Sequence, residues 1–477
     1  MRKIFFILSI LLSQEVHQGI ILYTPFNTLD STITTYLVDY NFNEINSWEH
    51  GYRVSPASMG YLMQDSTLWY PSRVSNPSME SGGVGGKIQH IDWNNNIIWE
   101  YIIANDSLQH HHDIEPLPNG NILIIAWNRK SLEEAQSMGR QTIETPLQQM
   151  WSESIFEIQP IGLDSANIVW EWHLWDHLIQ DVDPNLPNYG MISEHPELMN
   201  INLGEVGFGD GALGFGNADW IHFNAIDYNE ELDQIALSSR MMNEIYIIDH
   251  STTTEEAAGH SGGNSGKGGD FLYRWGNPQN YNRGNESNQI LGIQHGINWV
   301  DQGYPGEGNL IIFNNMHYAN NSAVIEISPP IELDGNYTLN EEGLYGPETW
   351  EWMFYNPNII EGQIIQSGAF RLDNGNTFIT TFNANFFEVS YNGELLFEYL
   401  YPEINAKINR AQKYAENYLI NQNIGDLNND QEVNVLDIIV LVDIIISEQS
   451  FIELGDVNFD ETIDVLDIIL LINQILN

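Results

Sequence analysis

The chain has 477 residues, 42% of them hydrophobic and 12% aromatic, which suits one large packed domain with a small one and excludes a disordered polymer. Sixty-five Asp and Glu against 16 Lys and Arg give a formal charge of −49, which disfavours nucleic acid and anionic membrane surfaces as partners. Cysteine is absent, so disulfides, thiolate metal sites and a cysteine nucleophile are excluded. In chain order, the opening MRKIFFILSILLS joins a basic pair to an apolar run too short to span a bilayer. That is the pattern of a secretory signal, read here as residues 1–19, and it predicts a secreted protein (periplasmic or extracellular). No later stretch looks like a membrane span.

Between residues 20 and 403 short apolar or alternating strands follow one another with turns between them, and helical periodicity is nearly absent. One unit is a turn, then GN, then an apolar run: LPNGNILIIAW (117–127), GEGNLIIFNN (306–315), LDNGNTFITTF (372–382). A second unit, typified by SIFEIQ (154–159) and NEIYIID (243–249), recurs six times, beginning near 34, 87, 154, 243, 322 and 385. A third closes each set with aromatic residues, as in IVWEWHL (168–174) and FLYRWG (271–276). Repeated four-stranded units with periodic Gly and aromatic positions predict an all-β fold, a six-bladed β-propeller over 20–403. Long loops at 128–153, 175–219 and 250–270 fit a site built on one face.

Four places set His, Asn or Arg at strand mouths, where a propeller's central funnel collects side chains. HHHD (110–113) supplies His110, His111, His112 and Asp113. DWIHFNAIDYN through LSSR (219–240) supplies His222, Asn224 and Arg240, with 222 and 224 expected on one face of a strand. QHGINWV (294–300) supplies His295, and His250 sits in a loop. A metal at the triple histidine is disfavoured because neighbours on a strand point alternately. Trp175, Trp220, Trp275 and Trp299 are available to stack on an aryl group, although most tryptophans in such folds pack blades. GHSGGNSGKGGDF (259–271) is not a phosphate loop: Ser261 and Gly268 break the pattern, and a flexible loop near the funnel is expected.

Taken together, HHDIEPLPNGN (111–121), WEWHLWDHLI (170–179), the segment 219–240, GGDFLYRWGNPQNY (268–281) and the segment 294–315 resemble the bacterial arylsulfate sulfotransferases. The resemblance covers roughly residues 20–400 and implies a six-bladed propeller. It also implies sulfuryl transfer from an aryl sulfate donor to a phenolic acceptor, with ping-pong kinetics, no nucleotide donor and no cofactor for catalysis. On that reading His295 is the nucleophile. Arg240, His222, Asn224 and His112 surround the sulfuryl oxygens, and His222 or His112 is the general acid and base. His111 replaces His112 if the register slips by one. The competing expectation is a non-catalytic extracellular propeller that binds a ligand in the same funnel. A glycosidase would instead place paired carboxylates there.

Residues 404–424 read as helix or linker, and the module at 425–477 carries two copies at a 30-residue spacing. Each opens with D-x-N-x-D and ends with Asp at position twelve: Asp426, Asn428, Asp430 and Asp437, then Asp456, Asn458, Asp460 and Asp467, with Asp464 at position nine of the second. Oxygen ligands at alternate positions followed by an apolar helix predict two Ca2+ loops. The pair resembles a type I dockerin, which implies a protein partner contacted near Val435, Leu436, Val465 and Leu466.

Overall fold

Short strands with one apolar face cannot bury that face alone, and here six sheets stack around an axis to do so. The computed structural model describes residues 15–27, 32–52, 54–207, 216–318, 320–360, 362–419, 425–428, 433–447, 453–457 and 462–476. They fall into two compact units, Met1–Tyr61 with Leu68–Tyr414, and Leu62–Thr67 with Ala415–Asn477.

The first unit is a six-bladed propeller. Every blade is a four-stranded sheet whose strands are neighbours in chain order, except that blade one borrows a strand from the other end of the chain. The innermost strands of blades two to six are Tyr61–Leu62, Leu108–Pro116, Phe223–Asn229, His295–Trp299 and Gly368–Arg371. Blade one is closed by Ala411–Tyr414, which pairs antiparallel with Ile20–Tyr23 through Ile21↔Lys413 and Leu22↔Gln412. The expected helix or linker over 404–424 is thus corrected for its first half. Residues 411–414 are a strand because closing the ring gives their backbone groups partners and buries Ala411 and Tyr414. Residues 420–424 lie outside the described residues.

Closure is reinforced by charge. Arg410, immediately before the closing strand, is buried and pairs with the buried Asp113 of blade three, with Tyr61 donating to the same carboxylate at 2.5 Å. Lys413 pairs with the buried Glu388 of blade six at 2.7 Å. At the other end, residues 15–19 also belong to this unit. The His17 amide donates to Glu388 Oε1 at 2.7 Å and its Nε2 lies 3.0 Å from Asp373. A cut after residue 19 would remove these contacts, and residues 1–14 lie outside the described residues.

The second unit holds two helices, Val435–Ile446 and Val465–Leu476. Leu441, Ile444 and Leu471 are buried, and the Tyr418 hydroxyl donates to the Leu62 carbonyl at 2.8 Å. The two loops repeat one geometry. Asp437 accepts from the amides of Leu427 (2.8 Å) and Asn434 (2.8 Å); Asp467 accepts from those of Val457 (2.8 Å) and Asp464 (2.8 Å). Asn434 and Asp464 accept from Leu436 and Leu466, capping the helices. Of the expected ligands, Asp430, Asn458 and Asp460 lie outside the described residues.

Ring closure generates the first prediction. Arg410→Ala leaves the buried Asp113 without its ion-pair partner, a loss of about 3–5 kcal/mol for a broken buried pair. Ending the chain at residue 403 removes the closing strand altogether. Thermal unfolding should show a clear drop in midpoint for Arg410→Ala and no cooperative propeller transition for the truncation.

Candidate active site

A cavity of about 330 Å³ opens where the inner strands begin, and His112, His222, Arg240 and His295 all line it. Residues more than 180 positions apart in the chain meet there: His112 stands in the bulge of its inner strand, His222 just before its own, His295 at the start of its own, and Arg240 just after the neighbouring strand. The ladder slips at the same level in three blades, between His110 and Ile114, Phe223 and Ala225, and His295 and Asn298. Such bulges re-aim side chains.

His112 and His222 carry left-handed backbones, with φ of 52° and 57°. This overturns two expectations. His111 and His112 do not alternate across the strand: their Nδ1 atoms are 2.9 Å apart. His222 and Asn224 do not share a face, because the left-handed turn at 222 precedes the regular strand. Asn224 does not line the cavity and instead donates to the carbonyl of Gln294 at 2.7 Å, holding the residue before His295. His111 is likewise fully buried behind the cavity, stacked on Trp127 with centroids 4.1 Å apart. His110 accepts from the Gly86 amide at 3.0 Å and so anchors the glycine-rich turn of residues 81–86. That turn crosses His112 so closely that a Cβ at Gly83 would fall 2.1 Å from its ring.

Hydrogen bonding differentiates the three rings. His295 Nδ1 lies 2.9 Å from Asn315 Oδ1, and the Asn315 amide nitrogen donates to the Gln366 carbonyl at 3.0 Å, which fixes the side chain's orientation. Oδ1 therefore accepts from Nδ1–H, and the lone pair resides on Nε2. Burial, with the neighbouring Arg240 and His222 adding to it, pushes the His295 imidazole down to about 3, so the ring is neutral. His222 Nδ1 faces the buried Asp219 carboxylate at 2.6 Å. Burial alone would raise Asp219, but the contact with His222 outweighs it and holds the group below the usual range. His112 connects through His111 Nδ1 to His111 Nε2 and then to Glu153 Oε2 at 2.9 Å. Burial pushes His112 well below the usual range and His111 to about 3, and it raises Glu153, so this chain is neutral throughout. The rings of His112 and His222 stand edge to face with centroids 4.5 Å apart.

Sequence reasoning missed the rest of the wall. Phe26, Phe382 and Ile365 supply apolar surface, and Arg73, Gln366 and Asn409 supply polar groups. None stands in a histidine-bearing motif, and they come from blades one, two and six or the closing segment. The four tryptophans singled out for stacking do not line the cavity. Trp220 donates to the Leu203 carbonyl and Trp275 to that of Pro347, and Trp220, Trp275 and Trp299 are buried in the blades. His250 is also elsewhere, between Asp233 (2.7 Å) and Glu157 (3.1 Å). The glycine-rich stretch 259–271 does not reach the funnel.

The first unit is a closed six-bladed propeller with imidazoles and an arginine converging in its funnel. The chain belongs to the arylsulfotransferase family: the family described as arylsulfotransferase (ASST) matches residues 74–329, more than half of the sequence. A dockerin type I domain matches residues 424–476. Dockerin domains of this type bind calcium and occur in extracellular proteins. Among curated proteins, none matches. Solved structures with a similar fold include a protein of unknown function from Bacteroides caccae, at 10% identity and a TM-score of 0.42, covering 83% of this chain and 98% of that one. A periplasmic gluconolactonase from Pseudomonas aeruginosa matches at 11% identity and a TM-score of 0.40, covering 83% and 99%. No helix among the described residues is long and apolar enough to cross a membrane.

The charge state of His250 is open to a direct test. Burial works against its proton, but Asp233 and Glu157 outweigh it and raise the group to about 9. Its ion pairs therefore stabilise fully below the unfolded value of about 6.5, and that stabilisation is lost as pH rises through about 9. Denaturant unfolding from pH 6 to 10 should show this decline in the native chain and a flatter profile in His250→Gln.

Proposed function

We propose that this protein transfers a sulfuryl group from an aryl sulfate ester to a phenolic acceptor through a covalent intermediate on His295, without a nucleotide sulfate donor. The observation that carries the reading is the neutral His295, its Nε2 lone pair left by Asn315 on a cavity shared with His112, His222 and Arg240. In the first displacement Nε2 gives its pair to sulfur while the bond from sulfur to the aryl oxygen breaks. The departing phenolate takes a proton from His222 Nε2, whose ring is held at Nδ1 by Asp219. The sulfurylated ring is cationic, and its Nδ1–H stays on Asn315. In the second displacement the acceptor phenol passes its proton to His222, its oxygen attacks sulfur, and the pair of the broken N–S bond returns to His295.

Arg240 and His112 serve the sulfuryl oxygens, where charge spreads at the transition state. With Glu153 protonated and donating to His111 Nε2, His111 Nδ1–H donates to His112 Nδ1, and His112 Nε2–H points outward as a donor. Asn224 and His111 act through these groups as positioning residues. Mixing the protein with 4-nitrophenyl sulfate and no acceptor should release about one equivalent of nitrophenol and leave a sulfuryl adduct on the peptide carrying His295. His295→Ala should abolish both. His222→Ala should lower turnover by roughly 10²–10⁴. Release without an adduct on that peptide would sink the covalent route.

The C-terminal module takes Ca2+ in two loops built on Asp426, Asn428, Asp430 and Asp437, and on Asp456, Asn458, Asp460 and Asp467 with Asp464 at the second loop's ninth position. In support, Asp426, Asp437, Asp456 and Asp467 are buried at the positions that the loop pattern assigns to ligands, and residues 425–477 contain no Lys or Arg. Val435, Leu436, Val465 and Leu466 are exposed at 61, 52, 61 and 54% and form the contact surface for a protein partner of an exported enzyme. Chelating calcium should expose 425–477 to protease while the propeller's thermal midpoint stays put; an unchanged tail would count against the loops.

A further inference from the structure

Two segments that sulfuryl transfer leaves unused meet in one place. His177 follows the turn Leu174–Asp176 at the end of blade three, and His260 and Asp270 bracket the glycine-rich stretch leading to the outer strand of blade four. His177 Nδ1 and His260 Nδ1 lie 2.8 and 2.7 Å from the same oxygen, Asp270 Oδ1. The His177 side chain is fully buried and that of Asp270 nearly so, whereas His260 is 60% exposed, so the group has a protein floor and one open side.

The far nitrogen of His177 decides what the group can hold. Nε2 lies 2.8 Å from the carbonyl of Ala257, which can only accept, so the hydrogen is on Nε2. A neutral His177 then aims its Nδ1 lone pair at a carboxylate oxygen, and the two repel unless a proton or a metal ion lies between them. The ring is held in that pose. It stacks on Trp172 with centroids 5.6 Å apart and planes at 5°, and Trp172 Nε1–H donates to the Gly269 carbonyl at 2.7 Å. Glycine at 269 permits the approach, since a Cβ there would fall 2.0 Å from the Ala257 oxygen and 2.6 Å from His177 Nε2. A histidine anchored through its far N–H on a backbone carbonyl, with two more donors converging at its near nitrogen, has the setting of a metal ligand.

We propose that His177, His260 and Asp270 bind a divalent transition metal of the zinc class, clipping the glycine-rich stretch to the end of blade three. Two imidazole nitrogens and one carboxylate oxygen suit Zn2+, whereas Ca2+ takes oxygen ligands, so this site differs in chemistry from the loops of the C-terminal module. The exposed side of His260 leaves a fourth position for water. None of the three residues lines the funnel, so the ion organises the loop and takes no part in sulfuryl transfer.

The test uses the full chain, stripped with chelator, returned to saturating Ca2+ and titrated calorimetrically with Zn2+, with Co2+ as a coloured substitute. One Zn2+ should bind and raise the thermal midpoint. His260→Ala, a change at an exposed side chain that leaves the packing intact, should weaken binding at least about tenfold and abolish the visible ligand-field absorption of Co2+. Asp270→Asn should do the same. Equal zinc uptake by the native chain and His260→Ala, or no Co2+ absorption in either, would overturn the site and leave an imidazolium–carboxylate pair.

Discussion

Left-handed backbone at two inner strands, in the bulge at His112 and just before the strand at His222, decides where the histidines point. A strand that kept its two-residue alternation would send His111 and His112 to opposite faces and give His222 and Asn224 a common one. Positive φ at His112 and His222 breaks that rule, at a cost of order 1–3 kcal/mol for each non-glycine residue so placed. The neighbouring structure over-determines both. The His112 amide donates to the Gly83 carbonyl at 2.6 Å, and the His222 carbonyl accepts from the Arg240 amide at 3.1 Å. The second bond also explains why Arg240, the residue after its strand, joins the same wall.

The same geometry lets a protein of charge −49 present an electrophile-handling site that is close to neutral. Burial keeps His112 and His295 uncharged, and what lies behind each ring then sets its role. An amide oxygen behind His295 orients the ring without favouring the imidazolium, so the nucleophilic pair stays free. A carboxylate behind His222 fixes its Nδ1 side, and on the proposed route the opposite nitrogen, Nε2, is the one that exchanges a proton with the phenol. Two identical side chains thus diverge through Asn315 and Asp219, which stand at the edges of the motifs GEGNLIIFNN and DWIHFNAIDYN.

How much of this is visible in the sequence follows from the range over which each feature is encoded. Blade number is local, because every blade repeats the strand that begins near 34, 87, 154, 243, 322 and 385, and all six copies fall on strands of separate blades. His112, His222, Arg240 and His295 are legible because they sit beside those repeats. The closing strand is not, since AQKY has no pattern of its own and becomes a strand only by pairing with Ile20–Tyr23. The shared face expected for His222 and Asn224 and the opposite faces expected for His111 and His112 both follow from strand alternation, the rule that bulges suspend. The tryptophans misled for a different reason: large aromatic side chains in a propeller serve first to fill the space between blades.

On the proposed sulfuryl transfer, the position of the apolar wall bears on acceptor choice. His112, His222, Arg240 and His295 all lie within residues 74–329, which the family matches, while Phe26, Ile365, Gln366, Phe382 and Asn409 lie outside it. The histidine-and-arginine side of the cavity and its apolar side therefore come from different parts of the chain, joined by ring closure. Phe26 and Phe382 stand edge to face with centroids 6.4 Å apart, and the backbone of Phe26 pairs with Lys407 in the segment leading to the closing strand. A phenol can bury its ring against that surface, whereas water gains nothing from it, so the proposed covalent intermediate is discharged by the acceptor that fills the wall. On that proposal, substitutions at Phe26 or Phe382 should change which acceptor phenol is used while the release of nitrophenol from 4-nitrophenyl sulfate is retained.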